Sequence, residues 1–568
     1  MSKKSAWKWL SLIFMTVGVL LLTIACNSGT QGEAPVTTAP DKTLPREYCI
    51  ILPKSATGQI TDAANSFAED VTEYLGTAPR VIKENKLSDE ERADTDVYRI
   101  LVGMTGFLQT VQVYETLPYG SQTITAVDGA LVVGGWYDDA TVAALNSCRK
   151  MLSVWAADGE LKVPVDYSKT VDLNETLSAL PRYPDALPKE LVDCGDGCMM
   201  MIFKTTEASY NDYISGLQGQ NFRFYSENKI ANIRFSTHED GKYVVNTVCY
   251  TGTGEVRLMI EPLSKTALAP LPEKEGQPDT PVTLTQIGLN LSGGEDDMAG
   301  MSYLFRLEDG SFLVIDGGYY RDTDANRLYQ CMREQSGEGK PIVIAAWIMT
   351  HGHGDHLGCF MRFTELYSDK VTVERFIYND PCAKQRNLTG DGPYYQLNRQ
   401  AMQKYPGAVI HKAHPGQVYA IRNVIVEIYY TLELYEPNSL TYYNDCSLVF
   451  SVRAGGQKIM FLGDISENVS PLIASLYQDA LACDLLQVAH HGFAGGTAVL
   501  YQYLSPTYLL WPSADFVYTT RISADRFKTL SDSAKNENCF VAGNRIISLL
   551  IDAEKGIVKT GKGCVNDM

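Results

Sequence analysis

The chain has 568 residues, too many for a single hydrophobic core, so we expect about three or four domains. Its hydrophobic content of 45% is that of an ordinary globular protein. The net charge of −18 argues against broad, sequence-independent DNA binding, which needs a basic face. A local cationic groove is compatible with this charge, so the sequence does not decide whether nucleic acid is a partner.

Residues 1–26 have the pattern of a targeting segment and are kept apart from the fold. Three lysines provide a positive start: Lys3, Lys4 and Lys8. An uncharged apolar run follows, and the residues LTIAC that end at Cys26 resemble the lipobox of bacterial lipoproteins, with Thr23 in place of the usual Leu. The resemblance implies a lipidated Cys26 that tethers the chain to the extracytoplasmic face of a bacterial cell membrane. The alternative is an uncleaved anchor helix, for which the run is slightly short.

Two small modules are predicted after a flexible linker at residues 27–45. Residues 46–178 alternate strand-like and helix-like segments and predict an α/β domain. The run LVVGGWYDDATVAAL resembles the non-catalytic domain that precedes the barrel of α-glucuronidases and β-hexosaminidases, which implies a cell-wall or glycan polymer as a partner. Residues 180–275 predict a small α+β module with one helix and three alternating strand regions, and His238 is placed in a solvated turn there.

Twelve cysteines follow Cys26, and their scattered spacing is not that of a disulfide framework. Cys249 and Cys446 adjoin strand-like runs and are interpreted as buried free thiols. The pair Cys194 and Cys198, in CGDGC, suggests a disulfide or a metal site. Because no second cluster of ligands is near them in the sequence, a zinc site there is disfavoured.

Residues 283–568 contain the chemistry-bearing motifs. The apolar strand Ile342–Met349 leads into THGHGDHLG, which places three of the chain's eight histidines and one carboxylate within six residues. They are His351, His353, Asp355 and His356. Glycines between them allow the backbone to turn tightly around an ion, so the run predicts a metal site.

Two later strand ends supply further candidate ligands. KIMFLGD ends at Asp464, and LLQVAHHG contains His490 and His491. We expect His351 and His353 to bind one ion, Asp355, His356 and either His490 or His491 a second, and Asp464 to bridge them, because adjacent residues of a strand face opposite ways and only one of the two histidines can serve. Two ions that share a water lower its pKa, so that a bridging hydroxide is available as nucleophile. A one-metal site with Asp355 as general base is the alternative.

Together with the hairpin that ends at Asp316, these motifs in this order resemble the metallo-β-lactamase superfamily. The run SLVFSV…KIMFLGD…LLQVAHHG is most similar to the hydrolase domain of DNA-uptake competence proteins and to phosphorylcholine esterases. The resemblance implies an α/β multidomain chain with a C-terminal αββα sandwich. It also implies that His491 is the ligand, that His490 is a second-shell or substrate residue, and that Asp316 supports the ligand loop.

One position departs from the superfamily pattern. The histidine that usually completes the first ion has no clear counterpart, and Asp445 stands ahead of SLVF as a weak ligand, a strand cap or a substrate contact. His411 and His414 are the other candidates, but the Pro-Gly after His414 predicts a hairpin turn and hence surface histidines. An oxygen-rich first site admits Mn as well as the expected Zn.

These features favour an extracytoplasmic binuclear hydrolase of phosphodiesters or phosphorylated wall polymers. A lactam or acyl-bond hydrolase is a second enzyme reading, which the missing histidine disfavours. A catalytically weak glycan-binding lipoprotein is the non-enzymatic alternative. Nothing in the sequence indicates a protein partner.

Overall fold

The computed structural model describes residues 47–183, 186–272, 278–289, 298–389 and 392–560. The predicted leader, the linker and Cys26 lie outside the described residues. Among the described helices, none combines the length and the apolar character that a membrane crossing requires. The described chain is a mixed α/β structure, as the alternating patterns predicted.

The first module is a six-stranded sheet in the order β2-β1-β3-β5-β4-β8, with helices packed on it. Its elements are β1 (Tyr48–Leu52), α1 (Gly58–Leu75), β2 (Arg80–Lys83), α2 (Asp89–Ala93), β3 (Tyr98–Val102), α3 (Leu108–Tyr114), β4 (Ser121–Val127), β5 (Ala130–Gly135), α4 (Asp138–Trp155), β6 (Ala156–Ala157), β7 (Glu160–Leu161), β8 (Ser168–Asp172) and α5 (Glu175–Ser178). Helix α1 begins after the Thr57 cap and ends at Gly76, and it buries Ala64, Phe67 and Val71 at helical spacing.

The second module is an antiparallel sheet in the order β11-β12-β13-β14-β10-β9. Its elements are β9 (Pro188–Gly195), β10 (Cys198–Lys204), α6 (Glu207–Leu217), β11 (Arg223–Ile230), β12 (Ile233–Glu239), β13 (Tyr243–Tyr250) and β14 (Glu255–Pro262). The hairpin β9–β10 was not predicted, because consecutive residues of β10 from Met200 to Phe203 are buried and so show no alternation. The placement of His238 in a solvated turn was wrong, since it lies on β12 and is buried.

The C-terminal part of the chain contains two larger sheets. Its elements are β15 (Val282–Ile287), β16 (Ser302–Arg306), β17 (Phe312–Asp316), α7 (Asp322–Ser336), β18 (Ile342–Ile348), α8 (Gly354–Tyr367), β19 (Val371–Val373), β20 (Arg375–Tyr378), α9 (Ala383–Thr389), α10 (Gly392–Met402), β21 (Val409–Lys412), β22 (Val418–Ile421), β23 (Val424–Tyr430), β24 (Val449–Ala454), β25 (Gln457–Phe461), α11 (Ser470–Tyr477), β26 (Leu485–Gln487), α12 (Ala498–Leu504), β27 (Tyr508–Trp511), α13 (Asp515–Arg521), α14 (Asp532–Lys535), β28 (Cys539–Val541), β29 (Ile546–Asp552) and β30 (Gly556–Lys559). One sheet has the order β21-β20-β18-β17-β16-β15-β29-β30, with β19 beside β18, and the other has the order β22-β23-β24-β25-β26-β27-β28.

These two sheets share one hydrophobic core, to which Phe305 and Ile315 contribute from the first sheet and Val452 and Phe461 from the second. A separate core joins the outer side of the first sheet to α7 and α8, with Trp347 against Phe360. The outer side of the second sheet packs on α11 and α12, and also on the middle module. The C-terminal sheets are therefore covered on both sides, which is why the central strands β17 and β18 are apolar along most of their length.

Candidate metal centre

The histidine run lies where strand β18 ends and helix α8 begins. His353 is the N-cap of α8, and Asp355 stands in its first turn, where a carboxylate interacts favourably with the helix dipole. His351 and His356 are buried on the same side of this turn, with their ring centroids 4.3 Å apart. The connection from this buried strand to the helix therefore places all four candidate ligands of the histidine run close together.

Asp464 and His491 reach the same place from the second sheet. Strands β25 and β26 are parallel neighbours, so their carboxyl ends meet at one edge. The Gln487 side chain joins the two ends, because its carbonyl oxygen accepts from Leu462 N at 2.8 Å and from Gly463 N at 2.9 Å. This crosslink positions the residue after Gly463, which is Asp464.

His490 and His491 do not lie on a strand as expected. They occupy a short turn after β26, and both have left-handed backbone conformations, with φ of 47° and 54°. Such angles are costly for residues other than glycine and occur where the surrounding structure imposes them. The turn directs His491 into the cluster and leaves His490 beside it, 18% exposed at the side chain.

Four of the predicted ligands converge into one group: Asp355, His356, Asp464 and His491. The Nε2 atom of His491 lies 3.1 Å from Asp355 Oδ2 and 3.1 Å from Asp464 Oδ2. The Nε2 atom of His356 lies 3.2 Å from both His491 Nε2 and Asp464 Oδ2. The ligand atoms of a tetrahedral zinc ion are about 3.3 to 3.6 Å apart, so this group fits one divalent cation.

The outward nitrogens of both imidazoles are held by acceptors. His491 Nδ1–H donates to the Pro512 carbonyl at 3.1 Å, and His356 Nδ1–H donates to Asp316 Oδ2 at 2.7 Å. In each ring the Nε2 atom therefore faces the group of four. Acceptors on the outward nitrogens fix the orientation of both rings, as they do in metal-binding histidines.

Charges of both signs compensate one another within the group. Burial alone would lower the pKa of His356, but Asp464, Asp355 and Asp316 outweigh it and hold that pKa well above its usual range. Burial alone would also lower the pKa of His491. Asp464 and Asp355 outweigh this effect and raise that pKa to about 9. Burial would raise the pKa of Asp464, yet His356 and His491 lower it strongly. A divalent cation competes with the protons on these rings, so its binding strengthens as the pH rises.

Asp464 is nearly fully buried, and its Oδ1 atom has no hydrogen-bond partner while Oδ2 contacts both imidazoles. A buried carboxylate oxygen without a partner is costly unless a cation or a donor satisfies it. His351 Nε2 and His353 Nδ1 form a second pair of facing ring nitrogens, 3.1 Å apart. The group of Asp355, His356, Asp464 and His491 therefore fits one divalent ion, and the second ion at His351 and His353 stays a prediction.

Asp316 supports the cluster from behind. It is fully buried at the end of β17, and its carboxylate accepts from Thr350 N at 2.8 Å and from Thr350 Oγ1 at 2.7 Å, in addition to His356. Its own φ is 54°. One carboxylate thus holds both the start of the histidine run and one of its rings.

Asp445 does not join the ligand group. Its Oδ1 accepts from Ser466 N and its Oδ2 from Asn468 Nδ2, both at 2.9 Å. Both oxygens are committed to the loop that follows Asp464. The reading of Asp445 as a weak ligand is therefore replaced by a structural role in positioning that loop.

His490 stands at the open side of the group. Its Nε2 atom lies 4.0 Å from Asp464 Oδ2, and its ring packs near Tyr442, with centroids 6.0 Å apart. Burial lowers the pKa of His490, which keeps the ring neutral near pH 7. A neutral ring at this place is suited to hydrogen bonding with a substrate.

The expectation that His411 and His414 are surface residues was wrong. Both are buried, His411 against the Ala267 carbonyl and His414 between Glu261 and Glu433. The sequence analysis missed Gln487 and Ser447, whose hydroxyl accepts from Asp464 N at 3.1 Å. Neither residue type is diagnostic at these positions, so only the packed structure identifies them.

Comparison with known proteins gives a family and two distant structures. Residues 296–435 match the family model described as Metallo-beta-lactamase superfamily. No curated protein matches the chain. Among solved structures, a mutant of the CmlA beta-hydroxylase is 13% identical and covers 42% of this chain and 46% of its own, with a TM-score of 0.25. CmlA, a diiron beta-hydroxylase from Streptomyces venezuelae, is 12% identical and covers 44% of this chain and 45% of its own, with a TM-score of 0.25.

The chain thus spans less than half of the length of either solved structure. The family match covers the strand that ends at Asp316 and the whole histidine run. Around that run the structure assembles carboxylates and imidazoles suited to divalent cations. Residues 296–435 therefore contain a metallo-β-lactamase superfamily domain.

Proposed function

We propose that this protein is a binuclear metal-dependent hydrolase, held on the extracytoplasmic face of a bacterial membrane by lipid on Cys26. Its substrates in this proposal are phosphodiesters or phosphorylated polymers such as those of the cell wall. The catalytic domain takes the αββα arrangement, with the metal centre at one edge of its two sheets. The observation that carries the proposal is the buried group of Asp355, His356, Asp464 and His491.

In this proposal Asp355, His356 and His491 would hold one ion, His351 and His353 would hold the other, and Asp464 would serve both. Zn is the expected metal and Mn the alternative. Bound divalent ions supply Lewis acidity and lower the pKa of water towards neutrality. His490, neutral and partly exposed, donates a hydrogen bond to an anionic oxygen of the substrate.

The direct test is turnover of bis-p-nitrophenyl phosphate by the full chain loaded with Zn or Mn. Asp464→Asn keeps the size of the side chain but removes its charge. We expect it to lower turnover by more than about 100-fold, beyond the effect usual for outer-shell residues. Asp479→Asn, at an exposed position after α11, is the matched control and should leave turnover unchanged.

The same preparation separates the alternatives. Absence of phosphodiester hydrolysis with every metal, together with turnover of nitrocefin, would favour the acyl-bond hydrolase. Elemental analysis that finds the same metal content in the wild type and in Asp464→Asn would favour the glycan-binding lipoprotein. Iron is included in that analysis because the donor set of carboxylates and imidazoles also accepts it.

A further inference from the structure

A second group of metal-binding side chains lies away from the histidine run, where the middle module meets the C-terminal sheets. Cys194 and Cys198 flank the turn between β9 and β10, and Glu261 lies on β14, the neighbour of β10. His414 follows β21, and Glu433 follows β23. All five side chains are buried, with exposures between 0% and 6%.

Their ligand atoms form two overlapping groups of three. Cys194, Cys198 and Glu433 form one group, and Cys198, Glu261 and His414 form the other, with the ligand atoms in each group within 4.8 Å of one another. Cys198 belongs to both. The two groups meet at Cys198, so that a thiol, an imidazole and a carboxylate lie together in one group and the second thiol lies in the adjoining one. Thiols, imidazole and carboxylate are donors typical of tetrahedral zinc.

The hydrogen bonds leave part of this group unsatisfied. His414 Nε2 lies 2.6 Å from Glu261 Oε1, and its Nδ1 lies 2.9 Å from Glu433 Oε2. Glu433 has further donors, from Asn379 Nδ2 at 2.9 Å and Thr431 Oγ1 at 2.7 Å. Glu261 Oε2, in contrast, is buried and has no partner.

A nearby cation favours the thiolate form of the cysteines. Lys412 is buried, and its Nζ donates to the Cys194 carbonyl at 2.5 Å and to the Gly195 carbonyl at 3.0 Å. Its charge thus lies beside the β9–β10 turn, where it stabilises an anionic sulfur. Lys412 Nζ does not donate a hydrogen bond to Glu261 Oε2.

We propose that Cys198, Glu261 and His414 bind one zinc-class divalent cation, and that Cys194, which groups with Cys198, moves in as the fourth ligand. This ion joins the middle module to the C-terminal domain. Binding forms four metal–ligand bonds, and the protons of the two thiols and of the His414 nitrogen facing Glu261 pass to the solvent. Glu433 remains on the other nitrogen of His414 and orients the ring. Because the site is buried and its four positions are all protein ligands, the ion is structural rather than catalytic.

Cobalt substitution tests this site independently of the catalytic centre. None of the ligands assigned to the histidine-run centre contains sulfur, so a thiolate-to-cobalt charge-transfer band in the near ultraviolet reports on Cys194 and Cys198. We expect the reduced full-length chain to show this band with Co²⁺, and Asp464→Asn to retain it. The double variant Cys194→Ser/Cys198→Ser should lose it, whereas Cys148→Ser, which changes a buried thiol of the first module, should keep it.

Elemental analysis gives a second measurement. The wild-type chain should bind about one more zinc ion than the double cysteine variant, whatever the occupancy of the catalytic centre. If that variant does not fold, Glu261→Gln replaces it, because glutamine is isosteric with glutamate and removes a buried charge. We expect Glu261→Gln to fold and to lose the cobalt band at lower chelator concentrations than the wild type.

Two results would overturn the proposal. One is a Cys194–Cys198 disulfide, found by peptide mass spectrometry in the chain as isolated, with no charge-transfer band after reduction. The other is an equal metal content in the wild type and in the folded cysteine variant or, where Glu261→Gln is used instead, loss of the cobalt band at the same chelator concentration as in the wild type. Loss of phosphodiester turnover alone would contradict the proposed hydrolase and leave this site standing.

Discussion

Asp316 shows how a single residue that touches no substrate can control the metal centre. Its carboxylate accepts three hydrogen bonds, one from the His356 ring and two from Thr350. Asparagine at this position can accept from the Thr350 amide, but its NH₂ group would face the hydroxyl and the imidazole N–H. The orientation and basicity of His356 therefore depend on the charge of Asp316.

We predict that Asp316→Asn lowers metal affinity by about 10- to 100-fold, the range usual for outer-shell partners of a metal ligand. A competition titration against a chromophoric chelator measures the change. Asp309→Asn, on the hairpin turn before the same strand, is the matched control and should bind metal as the wild type does. Equal affinities of Asp316→Asn and the control would contradict the role assigned to Asp316.

His238 is a buried histidine whose effect can be read from the pH dependence of stability. Burial lowers its pKa to about 4, whereas an exposed histidine in the unfolded chain titrates near 6.5. Below pH 6.5 the unfolded chain therefore takes up a proton that the folded chain does not hold until about pH 4. This difference destabilises the fold progressively over that interval, by up to about 3 kcal/mol.

We predict that His238→Gln makes the free energy of unfolding less dependent on pH between 6.5 and 4. Urea denaturation at several pH values measures this slope for the variant and the wild type. Above pH 7.5 both side chains are neutral, so the difference between the two proteins should be constant there. Parallel curves across the acid range would show that His238 does not titrate as its burial indicates.

At the scale of elements, the metal centre depends on the close approach of two loops. Gly463 has a φ of 53°, and a Cβ atom there would lie 2.9 Å from Ser447 Cβ and 3.2 Å from Thr350 Cβ. Ser447 holds the Asp464 amide, and Thr350 precedes the histidine run. A side chain at this position would therefore push the loop of Asp464 away from the loop of His351.

We predict that Gly463→Ala abolishes metal binding and turnover while the protein still folds. Gly556→Ala is the control, because Gly556 has a φ of 70° but nothing within 4 Å of its Cβ position. Both variants incur the cost of a left-handed alanine, about 1 to 2 kcal/mol, and only the first displaces a ligand. Metal content measured beside the thermal midpoint distinguishes the two effects, and equal metal loss in both would contradict the argument.

At the scale of the whole molecule, the middle module is part of the structure that supports the C-terminal domain. Met200 and Phe235 of its sheet share one hydrophobic core with Tyr477 and Trp511 of the C-terminal part. Arg257 of β14 donates to the Glu436 carbonyl at 2.8 Å from across this junction. Removal of the middle module would expose the apolar outer side of the second sheet.

We predict that a chain beginning at residue 278 aggregates or unfolds at a lower temperature, whereas a chain beginning at residue 186 remains monomeric. Size-exclusion chromatography and thermal unfolding measure both properties. The full-length Cys194→Ser/Cys198→Ser variant shows how much of the loss arises from the proposed structural ion alone. A monomeric residue-278 chain with an unchanged midpoint would mean that the shared core contributes little.

The sequence by itself determined the candidate ligands of the metal centre and the elements next to them. His351, Asp355 and Asp464 follow apolar strands and stand beside glycines, and both signals are local. The strand-like runs likewise predicted β11 to β14, although β13 and β14 are buried at nearly every position. Sequence spacing was sufficient to predict a feature wherever the residues that form it lie within a few positions of one another in the chain.

Only the tertiary structure decided which distant residues meet. His414 seemed exposed because a Pro-Gly turn follows it, yet the middle module covers it and places Glu261 against its ring. Cys194 and Cys198 seemed isolated in the sequence. Their neighbours in the structure lie on β14 and on segments more than two hundred residues away. Periodicity shows that a face is buried but not which element covers it, and that choice depends on how the sheets pack.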